Sequence, residues 1–349
     1  MSKESLSVLA TTLLSLVAAF FVSAVIILIL GENPVEVFKV FIVASLFSWD
    51  GVGFTLFYMT PLLLTGLSVS MAFKGGLFNI GAEGQLYMGS MAVAIFAGSG
   101  INLPFYLMIP ICILLAFLAG GIWGVIPGYL KVKFGSHEVI NTIMLNLIAY
   151  GICNYLVVGP FKRQGDQILE TEFIAQSARV FRLNKIIPWI SESVPVNFAL
   201  LLTISLCVGY WYFFHKMRYG YEMQVSGHSS EVARYAGINS GRYIILSMFI
   251  AGGLAGLVAV HEVMGFRYTF HDNFSRGVGF MGIAVALLGR NNPLGIFMAA
   301  FLFGMMNRGS LFIDINFDKL SNDLVIVVQG VIILFAAMSG MFQKLVRSK

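Results

Sequence analysis

Long apolar runs, each ended by Gly, Pro, Asn or a charge, recur along the whole chain, at about 6–30, 54–73, 86–98, 104–126, 139–158, 196–214, 243–262, 278–289, 294–307 and 323–341. An α-helix rises 1.5 Å per residue, so about 20 apolar residues cross the roughly 30 Å hydrocarbon core of a bilayer. The pattern predicts an all-α fold, a polytopic membrane helix bundle of about ten transmembrane segments, several of them short. The first run, Leu6 to Leu30, follows MSKES in the charge-then-apolar order of a signal peptide. Its roughly 25 residues exceed the 7–15 of a signal core, so it reads as a retained span.

Composition agrees with lipid as the main solvent: of 349 residues 58% are hydrophobic and 11% charged, against about 25% charged in ordinary soluble domains. No soluble domain of useful size is left over. The net charge of +5 does not indicate nucleic acid, because the basic residues are scattered among apolar runs and form no stripe. Cys112, Cys153 and Cys207 each sit inside an apolar stretch with no CxxC or His spacing and read as small core residues. With the N-terminus inside, 12 Lys and Arg fall on the inner side and 10 outside, five of the latter in the loop 159–195. Without that loop the count is 12 against 5, which favours cytoplasmic N- and C-termini. The expected organisation is one membrane domain over 1–349, with a first half at about 1–158, an external loop at 159–195 and a second half at 196–349. Two halves of about five spans each are what internally repeated transporters show.

Polar residues inside this apolar background mark candidate chemistry. GGLFNIGAEGQLYMG at 75–89 and GVGFMGIAVALLGRNNPLG at 277–295 are short, glycine-interrupted segments at corresponding depths of the two halves. Paired broken segments point to a transport site, and glycines that merely let helices pack closely are the competing reading. Asn79, Glu83 and Gln85 stand beside the first set of glycines. In the fifth run, steps of four pick out Glu138, Thr142, Asn146, Tyr150 and Asn154, with Asn141 beside the start. Such a stripe is either a hydrogen-bonding wall for a polar, largely uncharged solute or a set of interhelical hydrogen bonds. Glu83 and Glu138 are costly at membrane depth and lie there or at the cytoplasmic interface, which leaves proton coupling open. The longest inner connection, 215–242, carries a short helix signal in which Ser229 or Ser230 caps, Glu231 favours the N-terminus and Gly237 ends the helix. About two turns are too short to be stable alone, so the helix is expected to dock on something or to be an ordinary solvated connection. The five histidines, His137, His215, His228, His261 and His271, are scattered near run ends and read as interfacial or loop residues. No metal or cofactor site is expected. The chain contains no G-x-x-x-x-G-K-[ST] string and so no P-loop of its own.

Four strings in order, GLFNIGAEGQLYMGS, HEVINTIMLNLIAYG, RYGYEMQVSGHSSEVARYAGIN with the following SMFIAGGLAGLVAVHEVMG, and GVGFMGIAVALLGRNNPLGI, resemble the nucleoside (purine/simple-sugar type) permeases of bacterial ATP-binding-cassette (ABC) importers. These are akin to the ribose and branched-chain amino-acid permeases, and the resemblance runs from about 54 to 335. It implies an inner-membrane subunit that pairs with a second permease, two cytoplasmic ATPase subunits and an external solute-binding lipoprotein, and works by alternating access. By position, Glu231, Ala233, Arg234 and Gly237, within about 226–240, resemble the coupling helix that docks on the ATPase. Ala233 and Gly237 match the Glu-Ala-Ala…Gly motif of other importers, and Val232 replaces its first Ala. The implied solute is a nucleoside. A sugar, a flavin or a branched-chain amino acid stays open within the superfamily, and an ion-coupled secondary transporter or a polytopic membrane enzyme stays open outside it.

Overall fold

A computed structural model describes residues 3–347 apart from 164, 166, 167, 188, 318, 321 and 322. Lys349 lies outside the described residues, as do the side chains of Lys3, Lys344 and Arg347, so their place in the inside count is untested by the fold. Before the loop 159–195 lie α1 (Lys3–Ile29), α2 (Pro34–Leu46), α3 (Trp49–Lys74), α4 (Ala82–Gly98), α5 (Phe105–Phe134) and α6 (Glu138–Val158). After the long loop come α7 (Ala199–Lys216), α8 (Arg218–His228), α9 (Ser230–Tyr235), α10 (Ser240–Gly256) and α11 (Val258–Glu262). The chain ends with α12 (Val278–Leu288), α13 (Pro293–Ser310), α14 (Ile313–Asn316) and α15 (Asp323–Arg347). Among the described residues the only β-type pairings are isolated bridges, so the fold is all-α.

The greater part of each of the ten apolar runs is helical, with 243–262 divided between α10 and α11. Among the described residues four helices are long and apolar enough to cross a bilayer by themselves: α3, α5, α6 and the continuous Ser240–Arg267. A fifth span arises if Leu14–Ile29 and Pro34–Leu46, bent by 117°, count as one. Sequence reading missed α2 as a separate helix. Asn33 caps it, accepting from the Val35 amide, and Pro34 opens it, so the chain turns sharply at the Gly31–Pro34 break that ends the first apolar run.

α3 is the interior helix. Its apolar window is 78% buried, against 28% for α5 and α6, and it packs against α10, α12 and α13. Glycines set the closest approaches. A Cβ on Gly252 would lie 2.2 Å from the Gly120 carbonyl oxygen and one on Gly256 2.2 Å from that of Ala116, so α5 and α10 touch backbone to backbone.

The loop 159–195 is folded back onto the bundle. The amides of Thr171, Ile174 and Val180 donate to the carbonyls of Phe270, Tyr268 and Met264, and that of Ala175 to Ala97. Asp50 accepts from the Ser191 amide, which fixes the start of α3 at this end. The other end of α3 meets α8, so the loop 159–195 and the segment α8–α9 lie at opposite ends of the central helix.

Candidate functional site

The two broken segments meet. Gly277 adopts φ +83° and offers α12 no side-chain cap of its own. Glu83, in the first turn of α4, fills that role from across the bundle: its carboxylate accepts the Gly279 amide at 2.6 Å and the Ser275 hydroxyl. Gly279 has to be glycine here, because a Cβ would stand 2.5 Å from the Glu83 nitrogen. A carboxylate at a helix N-terminus meets both the free amides and the positive end of the macrodipole, and each such charged bond contributes roughly 1.5–3 kcal/mol.

The other amides around this junction also find partners within the protein. Asn79 and Gln85 form a reciprocal pair, Nδ2 to Oε1 at 2.9 Å and Nε2 to Oδ1 at 3.2 Å, and the Asn79 oxygen also accepts the Gly81 amide. From α6, Asn146 accepts the Gly84 amide at 2.8 Å and donates to the Ile80 carbonyl at 3.0 Å, so one side chain replaces the helical bonding that the 75–81 break removes. Thr142 is buried beside Gly81 and returns its hydroxyl to the Glu138 carbonyl. Asn141 is half-buried and donates to Ser136, and Glu138 pairs with Lys131 at 2.9 Å across the α5–α6 turn.

The buried side of α6 continues through Ala149, Cys153 and Val157. Farther along, Tyr150 packs edge-on to Tyr87 at 4.7 Å and Asn154 donates to Asp272. The opposite face of α6 exposes Ile140, Met144, Leu147, Ile148 and Tyr155.

At the far end of α3, α9 forms as the cap residues predict. Ser229 accepts the Val232 amide, and the chain leaves the helix through Gly237 at φ +73°. Ala233 is fully buried and anchors the helix, whereas Glu231, Arg234 and Gly237 are exposed and line an open groove of about 580 Å³ that runs to Ser240. Val232 and Tyr235 are also exposed, Tyr235 at 86%, an apolar contribution that the motif comparison did not single out.

Two further features were missed. Gly227, just before α9, and Gly76, just before the Asn79 segment, meet directly: a Cβ on Gly227 would lie 2.4 Å from the Lys74 carbonyl oxygen and 2.6 Å from the Gly76 nitrogen. Glu222 of α8 accepts from Arg218 and from the Tyr243 hydroxyl of α10. The Tyr243 hydroxyl first and the Arg218 guanidinium second hold its carboxyl below the usual range. The glycines themselves were the only available signal for the first contact, since nothing in a single sequence pairs residue 76 with residue 227.

His261 departs from its expected place. It is 1% exposed inside α11, because the glycine-rich α10 carries this helix into the bundle and leaves no loop or interface at that point.

An all-helical, glycine-packed membrane bundle with two converging broken segments and an exposed short helix at one end defines a transport component of the permease class. The chain belongs to the family described as branched-chain amino acid transport system / permease component, whose pattern matches residues 51–337. It is 36% identical over 346 residues to the guanosine ABC transporter permease protein NupP of Bacillus subtilis, covering 96% of this chain and 95% of that one. It is 36% identical over 332 residues to the nucleoside ABC transporter permease protein NupB of Lactococcus lactis, covering 93% and 89%. A glucose ABC transporter permease protein of Haloferax volcanii, TsgB13, is 31% identical over 338 residues, covering 96% and 88%. No solved structure matches the chain. It is a multi-pass membrane protein and a transport subunit, with ATPase and solute-binding partners of the general ABC kind.

Proposed function

We propose that this chain forms the translocation pathway for a nucleoside in an ABC importer of the bacterial inner membrane. The observation that carries the solute class is the near full-length identity of 36% to the guanosine and nucleoside permeases, above the 31% to the glucose permease. The assembly we infer has a second permease subunit, two ATPase subunits on the cytoplasmic side and an external solute-binding lipoprotein. Its membrane part comprises about ten segments in two related halves, with both termini cytoplasmic.

In this reading Asn79, Glu83, Gln85, Asn141, Thr142 and Asn146 border the pathway. Their hydrogen bonds tie α4, α6 and the N-terminus of α12 into one body, so these elements move together between outward- and inward-facing arrangements. Glu231, Arg234 and Gly237 receive the ATPase, with Ala233 as the buried anchor of the docking helix. The Gly227–Gly76 contact supports this assignment, because it joins the docking helix to the polar segment with no flexible side chain between them.

Competition tests the solute. Uptake of labelled guanosine by cells expressing the complete importer is expected to be blocked by unlabelled nucleosides and left intact by glucose, ribose, riboflavin and leucine. Blocking by one of the latter alone replaces the solute assignment.

A further inference from the structure

The polar groups around Asn79 and Glu83 are consumed by internal partners, whereas a second set, at the other end of α3, is not. His261 is 1% exposed, and neither of its ring nitrogens has a hydrogen-bond partner among the described residues. Its Nε2 lies 3.8 Å from the Glu262 carboxylate, beyond hydrogen-bond range. Among the described residues Glu262 forms no other ion pair, and the carboxylate is 17% exposed. The Nε of Arg308 is buried and has no partner among the described residues. Tyr58, partly exposed on α3, lies within reach of the charges of Arg308, Arg276 and Glu262. Buried polar groups are nearly always satisfied, and ionisable groups within a membrane bundle are expensive to keep. Unpartnered polar atoms on α11 and α13, beside the aromatic face of α3, therefore indicate a ligand.

Aromatic rings form the floor of this cluster. Phe54, Phe57 and Tyr58 fall at i, i+3 and i+4 on α3 and share a face. The Phe57 ring lies 4.5 Å from His261, 4.9 Å from Phe266 and 5.3 Å from Tyr58. The Arg308 guanidinium sits over Phe54 at 4.1 Å and Phe312 at 4.8 Å. Phe266 packs against Phe57 from Val263–Arg267, a π-helical turn of a kind frequent at functional sites, which ends at Tyr268 with φ 64°.

The cluster lies on the side of the loop 159–195. α3 starts at Trp49 under Ser191 and Val194, and nine residues further along the helix place Tyr58 about 13 Å in.

We propose that Tyr58, Glu262 and Arg308, over the Phe57–Phe266 floor and backed by His261, form a solute-recognition site at the mouth of the pathway for a nucleoside. A carboxylate with two free oxygens accepts both hydroxyls of a vicinal diol. A guanidinium and a phenol donate to base carbonyls and ring nitrogens, and aromatic faces stack on the base. The proposal rests on the nucleoside reading above and adds the residues that recognise the solute.

Thiol labelling of the reconstituted importer tests it. The native cysteines are buried, so a Tyr58→Cys variant reports the site with little background. A membrane-impermeant maleimide added from the binding-protein side is expected to label it, and saturating guanosine to slow the labelling by about fivefold or more. Leucine, which a Glu–Arg pair could bind as a zwitterion, is expected to give no protection. Absence of labelling, labelling indifferent to guanosine, or equal protection by leucine overturns the site.

A second variant covers failure of the first to assemble. Glu262→Gln is expected to lower the ratio of guanosine uptake to 2′,3′-dideoxyguanosine uptake by about tenfold, measured with the same binding protein so that its own selectivity cancels. An unchanged ratio overturns the role of Glu262. Guanosine transport that persists with both results negative removes this site alone, and an importer that moves no nucleoside removes the nucleoside reading along with it.

Discussion

Gly227→Ala puts the mechanical link between the docking helix and the polar segment to the sharpest test. A Cβ there would stand 2.4 Å from the Lys74 carbonyl oxygen, 2.6 Å from the Gly76 nitrogen and 2.7 Å from the Gly75 carbonyl carbon, all of them backbone atoms. Ordinary contact begins at 3.4 Å, so the two segments must separate by 3.4 − 2.4, or 1.0 Å. Overpacking of this kind costs about 1–3 kcal/mol, a loss that a bundle of this size survives. The functional cost is larger, because Gly76 leads through Leu77 and Phe78 straight into Asn79. Coupling between distant sites is commonly worth 1–3 kcal/mol, or about 5- to 150-fold. The expected outcome is a fall of about tenfold in guanosine moved per ATP hydrolysed, measured in proteoliposomes containing the complete importer. Gly209→Ala is the control, since among the described residues nothing lies within 4 Å of a Cβ at that position. A purely structural role would reduce transport and hydrolysis in proportion and leave their ratio intact. An unchanged ratio therefore refutes the link.

Three further outcomes follow from the geometry. Asn146→Leu strands the Gly84 amide and the Ile80 carbonyl in the interior, so thermal unfolding of the detergent-solubilised protein should show a loss of about 1–3 kcal/mol for each group left unpaired. Glu83→Ala removes the cap of α12 and should raise hydrogen exchange at Gly279 and its neighbours, whereas Glu83→Gln, which keeps an acceptor, should raise it less. Glu222 has a depressed folded-state pKa, so the stability it contributes is present above its ordinary value of 4.5 and is lost as pH falls through the folded value. Acidification from neutral pH into that range should accelerate proteolysis of the α8–α9 region in the native protein and have a smaller effect in Glu222→Gln.

Much of the helical framework was legible in the sequence, since a run of about 20 apolar residues has few stable alternatives in lipid. The cap residues of α9 were equally readable, because Ser229 and Gly237 act within their own turn. What a helix face meets is a different matter. Asn146 was visible as part of a polar stripe, yet its partners are backbone groups of residues 80 and 84, more than 60 positions away. Periodicity shows that a face exists and carries no information about what covers it. Glu83 illustrates the same limit: as a carboxylate near membrane depth it was conspicuous, but its role as the cap of α12 depends on Gly279 being close enough to touch. His261 was misplaced because its neighbours in sequence read as the end of a span, while the π turn at Val263–Arg267 continues the helix beyond it to the folded-back loop 159–195.

The central claim is that this chain provides a path and takes its energy from other subunits. ATP-dependent guanosine uptake into proteoliposomes containing the purified chain, with and without its ATPase and companion permease subunits, tests it most directly. The expected result is accumulation only when the ATPase subunits and ATP are present together with the binding protein. Accumulation by this chain alone, driven by an ion gradient, would contradict the account.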